Sequence, residues 1–261
     1  MILADYHVHT TFCDGKNTAR EVVESAIKLG LKELGFSVHS YTDFDLTYCV
    51  REDRIEEYQA QINALKAEFR DKIKILCGVE QDYYSTASTK GYDYIIGSMH
   101  YLKVGEKHYP IDEEKSVILE CVNKEFNGDI YAFLECYFDN MSCIVEKTNA
   151  NIIGHIDIVE KFNSDGKLFD RKNLRYVASY EKAVDKLLKA GVPFEINTGA
   201  ISRGYTDNPY PSQTVLEYIL KNGGKVILSS DSHSKNTLLF NFEKEYEKLV
   251  KMGYGDRIVT L

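Results

Sequence analysis

Short apolar runs alternate along the chain with longer stretches in which apolar residues recur every three or four positions. The short runs, at 2–6, 33–38, 73–79, 94–99, 151–154, 192–197 and 226–230, read as strands. The longer stretches predict helices at 18–29, 51–69, 112–124, 129–149, 172–189, 212–222 and 242–251. Asn17 or Thr18 can cap the first helix, and Gly30, Gly191 and Gly223 stand where helices should end. Alternating strand and helix signals argue for an α/β fold with a parallel sheet. Seven strands, one fewer than a regular eight-fold barrel, predict a distorted (β/α)7 barrel. No repeat or low-complexity linker interrupts the 261 residues, so a single domain over 1–261 is expected.

The strand-like runs share a second feature, because most end in a residue that can bind a metal. They lead into His7 and His9, His39, Glu80, His100, His155, and Asp231 with His233; only His108 stands outside the pattern. In a parallel barrel the carboxyl ends of different strands converge on one mouth, so ligands far apart in sequence can meet there. Residues two apart on a strand project from one side, which lets His7 and His9 bind one ion while Asp5 orients an imidazole from behind. Glu80 ends an otherwise apolar run. An ionised carboxylate there is costly unless paired or metal-bound, and its two oxygens can bridge two cations. Asp231-Ser232-His233 repeats the two-residue spacing, and with no GxSxG elbow before it, ligation is the better reading than a hydrolase triad. Neutral imidazole suits zinc, iron and manganese alike.

The net charge of −8, from 40 acidic and 32 basic residues, argues against a general grip on nucleic acid. Asp5 and His7 interrupt the stretch a signal peptide would need, and no segment approaches a membrane span. The six cysteines show no CxxC pairing, so free thiols and a cytoplasmic location are expected. Long segments follow the ligand-bearing ends, at 40–50, 81–92, 101–111, 157–170 and 198–211. They would roof the mouth, and Tyr41, Tyr48, Tyr83, Tyr84, Tyr101, Tyr109, Tyr205 and Tyr210 on them could line a pocket for a flat ring or serve as ordinary surface tyrosines.

Taken together, His7-x-His9, Asp14-Gly15, His39, Glu80, Gly97-Ser98-Met99-His100, Gly154-His155 and Ser230-Asp231-Ser232-His233 resemble the polymerase-and-histidinol-phosphatase (PHP) superfamily of metal-dependent phosphoesterases. The resemblance covers essentially the whole chain. Residues 92–102 and Glu195-Ile196-Asn197-Thr198-Gly199 look most like its monofunctional histidinol-phosphate phosphatases, many of which carry a histidine near the position of Asp14. The resemblance implies three divalent ions, zinc, manganese or iron. His7, His9, Glu80 and Asp231 would hold the first, Glu80, His100 and His155 the second, and Asp14, His39 and His233 the third.

The implied reaction is hydrolysis of a small phosphate monoester, L-histidinol phosphate, in histidine biosynthesis. A water between the first two ions would attack phosphorus, Asp231 would take its proton, and the ion held by His233, or protonated Asp231, would assist the departing alkoxide. Arg203 is the leading phosphate clamp, since its planar fork can hold two phosphate oxygens, and Lys161 is the second candidate; either could instead be a solvated surface cation. Phosphotyrosine protein or nucleotides remain alternative substrates, and a metal-dependent amidohydrolase is the alternative from another class. The sequence leaves the oligomeric state open.

Overall fold

The computed structural model describes residues 3–261. Its main sheet is all parallel and is built from β1 (Ala4–Asp5), β2 (Glu33–His39), β3 (Lys74–Asp82), β4 (Tyr94–Ser98), β7 (Ile152–Ile153), β8 (Phe194–Asn197) and β9 (Val226–Ser229), in that spatial order. The remaining two strands, β5 (Tyr101–Val104) and β6 (Lys107–Pro110), form an antiparallel hairpin. The sheet curls until its edges meet just beyond β1 and β9. There the His9 amide donates to the Ser232 carbonyl at 2.8 Å, and the Ser232 amide to the His7 carbonyl at 3.0 Å. A single parallel bridge, Val8 to Ser232, closes the seam. The result is the expected distorted (β/α)7 barrel.

The helices are α1 (Ala19–Lys28), α2 (Ile55–Glu68), α3 (Lys115–Glu125), α4 (Ile130–Met141), α5 (Ile144–Thr148), α6 (Leu174–Leu188), α7 (Gly199–Ser202), α8 (Gln213–Lys221) and α9 (Phe242–Lys251). Thr18 caps α1 through a capping box, its side chain taking the Glu21 amide while Glu21 returns to the Thr18 amide. No helix among the described residues is long and apolar enough to cross a membrane.

Several expected boundaries shift for local reasons. The helix expected over 129–149 is two, because Ser142 Oγ and Cys143 Sγ turn back onto the Asp139 carbonyl and break the ladder between α4 and α5. The helix expected from 112 starts at Lys115, which leaves Asp112, Glu113 and Glu114 free to reach the barrel mouth. Segment 101–111, read as irregular, contains the β5–β6 hairpin. Glu80 is not the last residue of its strand: β3 runs on through Gln81 to Asp82. The first expected strand began at Ile2, which lies outside the described residues.

The barrel interior is filled by Tyr6, Tyr94, Ile96, Ile152 and Ile227, while two larger apolar layers lie between the sheet and its helices. Tyr94 is the central plug. Its hydroxyl donates toward the Tyr6 carbonyl at 2.5 Å and the Phe36 carbonyl at 3.0 Å, and its ring fills the space above Gly35 and Gly78. A methyl group on Gly78 would overlap that ring. Gly78→Ala is therefore expected to lower stability by about 1–3 kcal/mol, the usual cost of overpacking a filled core. A denaturation midpoint equal to wild type would show that the ring yields.

Candidate metal centre and active-site cavity

The floor of the barrel mouth is organised around one carboxylate. Glu80, 1% exposed, is carried by β3 into the centre of the strand ends. Its Oε2 lies 3.1 Å from His7 Nε2, 2.9 Å from His39 Nδ1 and 3.6 Å from His9 Nε2. Its Oε1 lies 3.2 Å from His100 Nε2 and 3.0 Å from His155 Nε2. Each oxygen thus faces its own set of imidazoles. Asp231 Oδ1 stands 3.4 Å from His9 Nε2, 3.8 Å from His7 Nε2 and 3.5 Å from His233 Nδ1. Asp14 reaches His39 Nε2 at 3.6 Å and His233 Nε2 at 3.1 Å.

These groups suit divalent ions. His7 Nε2, His9 Nε2 and Glu80 Oε2 are buried and close together, yet none makes an aligned hydrogen bond. Polar atoms so placed are costly unless something between them binds all of them. Three clusters bring their donor atoms within 4.8 Å of one another: His7, His9 and Glu80; His39, Glu80 and His100; and His9, Asp14, His39 and His233. Seven of the nine residues expected as ligands fall in these clusters, with His39 and His9 each in two. His155 and Asp231 fall in none, but His155 Nε2 lies 3.0 Å from Glu80 Oε1 and Asp231 Oδ1 3.4 Å from His9 Nε2.

Burial and charge act together on these groups. Burial would raise the Glu80 carboxyl, but the charges of His7, His39 and His100 hold it well below the usual carboxylate range. Burial acts against Asp231 likewise, and Arg203 and His7 more than reverse it. Burial together with the neighbouring His233 and His39 pushes His9 down to about 3, which keeps it in the neutral form a ligand requires.

Behind the imidazoles stands an outer layer the sequence reading did not assign. Glu195 Oε1 is 2.5 Å from His7 Nδ1, and Oε2 accepts from the His155 amide at 2.9 Å and from Asn197 Nδ2 at 3.1 Å. Asp82 Oδ2 is 3.3 Å from His100 Nδ1, and Cys13 Sγ is 3.5 Å from His9 Nδ1. Such partners fix which ring nitrogen faces the metal. Asp5, expected behind an imidazole, accepts instead from the backbone amides of Ser230 and Leu239 at 3.0 and 3.2 Å. It therefore anchors the end of β9. Asp231 follows with a left-handed backbone, φ 46°, and a Cβ on Gly199 would lie 2.8 Å from it, so the glycine is what admits this approach.

Above the floor opens a cavity of about 440 Å³. Of the tyrosines expected to line it, Tyr48, Tyr101, Tyr205 and Tyr210 do, whereas Tyr41, Tyr83, Tyr84 and Tyr109 do not. Arg203 borders it, a third exposed, with Nη2 2.9 Å from Asp231 Oδ2 and Nη1 donating to the Asp231 carbonyl at 2.8 Å. Lys161 also borders it; its ammonium donates to the Asp112 carbonyl and sits 4.4 Å above the Tyr205 ring. The rim carries Asp112, Glu113 and Glu114. His108 is stacked on Phe44 at 3.8 Å and belongs to none of the metal-type clusters.

A parallel barrel whose strand ends gather imidazoles around a central carboxylate defines a metal-dependent hydrolase. The chain belongs to the PHP domain family, whose model matches residues 5–199. It is 28% identical to the histidinol-phosphatase of Lactococcus lactis, over 97% of this chain and 92% of that protein. It is 25% identical to the histidinol-phosphatase of Bacillus subtilis, over 94% and 98%. The fold is shared with the crystal structure of the Lactococcus lactis histidinol phosphate phosphatase complexed with zinc, L-histidinol and phosphate. That comparison has a TM-score of 0.72 and 24% identity, covering 97% of this chain and 94% of that one.

Proposed function

We propose that this chain hydrolyses L-histidinol phosphate to L-histidinol and inorganic phosphate in histidine biosynthesis, with three divalent ions of zinc, manganese or iron. The relatives support the reaction, and the two-sided polarity of the cavity supports the substrate. Its floor is built for divalent cations and so for a phosphoryl dianion, while its rim of Asp112, Glu113 and Glu114 suits a positively charged leaving group. Burial, then Asp112, Asp45 and Glu114, raise the Glu113 carboxyl, the signature of acids crowded together without enough cations. A nucleotide or an acidic phosphopeptide would meet repulsion there, whereas histidinol brings an ammonium and an imidazole.

Bound divalent ions would neutralise phosphoryl charge and make water acidic enough to attack at neutral pH. The chain supplies the rest. His7, His9, Glu80 and Asp231 would hold the first ion, Glu80, His100 and His155 the second, and Asp14, His39 and His233 the third, with Glu80 joining the first two. Asp231, kept ionised by Arg203 and His7, accepts the proton of the attacking water and can pass it to the departing alcohol oxygen. Arg203 keeps N–H groups beyond those bound to Asp231 for the phosphoryl oxygens, and Lys161 adds positive charge on the same mouth. Residues 1–261 are read as one catalytic domain, since β1 and β9 come from opposite ends of the chain and meet at the seam. Its six cysteines, unpaired among the described residues, suit the reducing cytoplasm.

The test is phosphate release from L-histidinol phosphate, nucleoside monophosphates, a phosphotyrosine peptide and a neutral aryl phosphate. Histidinol phosphate should be preferred by kcat/KM, and another preferred ester would remove the substrate assignment. The double variant Asp112→Asn, Glu113→Gln should lose about 10-fold in kcat/KM on histidinol phosphate, the scale of one hydrogen bond to a charged group, and little on the aryl ester. Equal losses on both would show that the rim does not read the leaving group.

A further inference from the structure

The barrel and its helices bury many tyrosines, and the fold gives most of their hydroxyls partners. Tyr58 donates to the Gly78 carbonyl, Tyr94 to that of Tyr6, Tyr137 to that of Ile156, and Tyr176 to the Glu160 carboxylate. Tyr210 is the exception among the described residues: its side chain is buried, 4% exposed, and its hydroxyl oxygen is closed off from solvent with no hydrogen-bond partner. The other buried, unpartnered side-chain atoms include His7 Nε2, His9 Nε2 and Glu80 Oε2 on the cavity floor, and also Asp157 Oδ1 and Ser212 Oγ. Tyr210 also borders the cavity, its ring edge-on to that of His155 with centroids 6.5 Å apart.

The residue is held firmly in that place. Its amide and carbonyl both pair with Asn197, at 3.0 and 2.7 Å, and the Asn197 side chain in turn donates to Glu195 and Asp231. A tyrosine locked to the strand that organises the centre, with its hydroxyl left unsatisfied, has an arrangement that costs stability unless a ligand completes it. Burial and the carboxylates of Asp157 and Asp112 keep the phenol well above its ordinary value, so it stays a neutral donor.

We propose that the Tyr210 hydroxyl donates a hydrogen bond to a non-bridging phosphoryl oxygen of the substrate, beside the N–H groups of Arg203. The inference rests on reading the cavity as a phosphate monoester site. It adds the donor that Arg203, already engaged with Asp231, does not supply alone. A neutral phenol can bind a phosphoryl oxygen without adding charge that would compete with the metal ions, and its ring borders the cavity beside His155.

Tyr210→Phe removes only the hydroxyl. In the metal-loaded protein it should lower kcat/KM about 10- to 100-fold on both L-histidinol phosphate and p-nitrophenyl phosphate, the scale of one hydrogen bond to a charged oxygen. Inorganic phosphate, followed by calorimetry without turnover, should bind correspondingly more weakly. Metal content should be unchanged, and the melting temperature should hold or rise, because an unpaired buried hydroxyl has been removed. Unchanged phosphate affinity overturns the proposal, whether or not turnover changes, and so does a fall in melting temperature, which would give the hydroxyl an internal partner. If histidinol phosphate is not hydrolysed but phosphate affinity still falls, the substrate assignment fails while the role of Tyr210 stands.

Discussion

Glu80→Gln should release most of the bound metal and lower kcat/KM by more than about 100-fold, beyond the range usual for an outer partner of a metal ligand. The substitution keeps the size and shape of the side chain, so packing around β3 is preserved and the effect is chemical. The wild-type carboxylate offers one oxygen to His100 and His155 and the other to His7 and His39, and its charge would offset two cations held close together. An amide has one good metal-binding oxygen and no net charge, so it cannot serve both positions. Glu195→Gln gives the internal comparison, since Glu195 reaches the centre through His7, the His155 amide and the Asn197 side chain rather than directly. Its loss should lie between about 10- and 100-fold. Metal analysis by mass spectrometry beside steady-state kinetics decides the matter. A Glu80→Gln protein that keeps its full metal complement, or a larger loss at Glu195, would remove Glu80 from the bridging position.

The contrast between these two glutamates also shows what the sequence makes legible. Ligands that end apolar runs stand out, because a polar residue at the end of a buried strand needs a reason to be there. His7, His9, His39, His100 and His155 follow that rule. Glu195 obeys the same physics inside Phe194-Glu195-Ile196, where a fully buried acid interrupts an apolar strand, but it sits before the strand end and faces the back of an imidazole. The same argument that singles out Glu80 could have found it. Asp82 was hidden for a different reason: β3 continues past Glu80, and nothing local shows that the strand extends that far. The β5–β6 hairpin was missed because only Tyr101, Leu102 and Tyr109 of its strands are buried, too few for a clear alternation. The rim owes its acids to the late start of α3, which packs against β6 and has no capping signal that the sequence could show, as Glu114 makes no side-chain cap.

Arg203→Ala should lower kcat/KM by roughly 30- to 1,000-fold, corresponding to about 2–4 kcal/mol of lost transition-state stabilisation. Two effects combine in that number. The guanidinium borders the cavity, where its remaining N–H groups can meet phosphoryl oxygens, and it also clamps Asp231 through the carboxylate and the backbone carbonyl. Metal content separates them. Asp231 Oδ2 keeps its hydrogen bond from Asn197 Nδ2, at 3.2 Å, when Arg203 is removed, so the ligand should stay in place and the metals with it. Weaker inhibition by inorganic phosphate with unchanged metal content marks a phosphate clamp, whereas loss of metal marks a residue that only positions Asp231. Arg203→Lys should recover part of the activity, because an ammonium keeps the charge but cannot span Asp231 and a phosphoryl oxygen with one planar fork. If Arg203→Ala keeps wild-type kcat/KM and phosphate inhibition, the clamp lies elsewhere on the mouth. Lys161 would be the next to test, although its ammonium is already committed to the Asp112 carbonyl and the Tyr205 ring and would have to leave both to meet the ester.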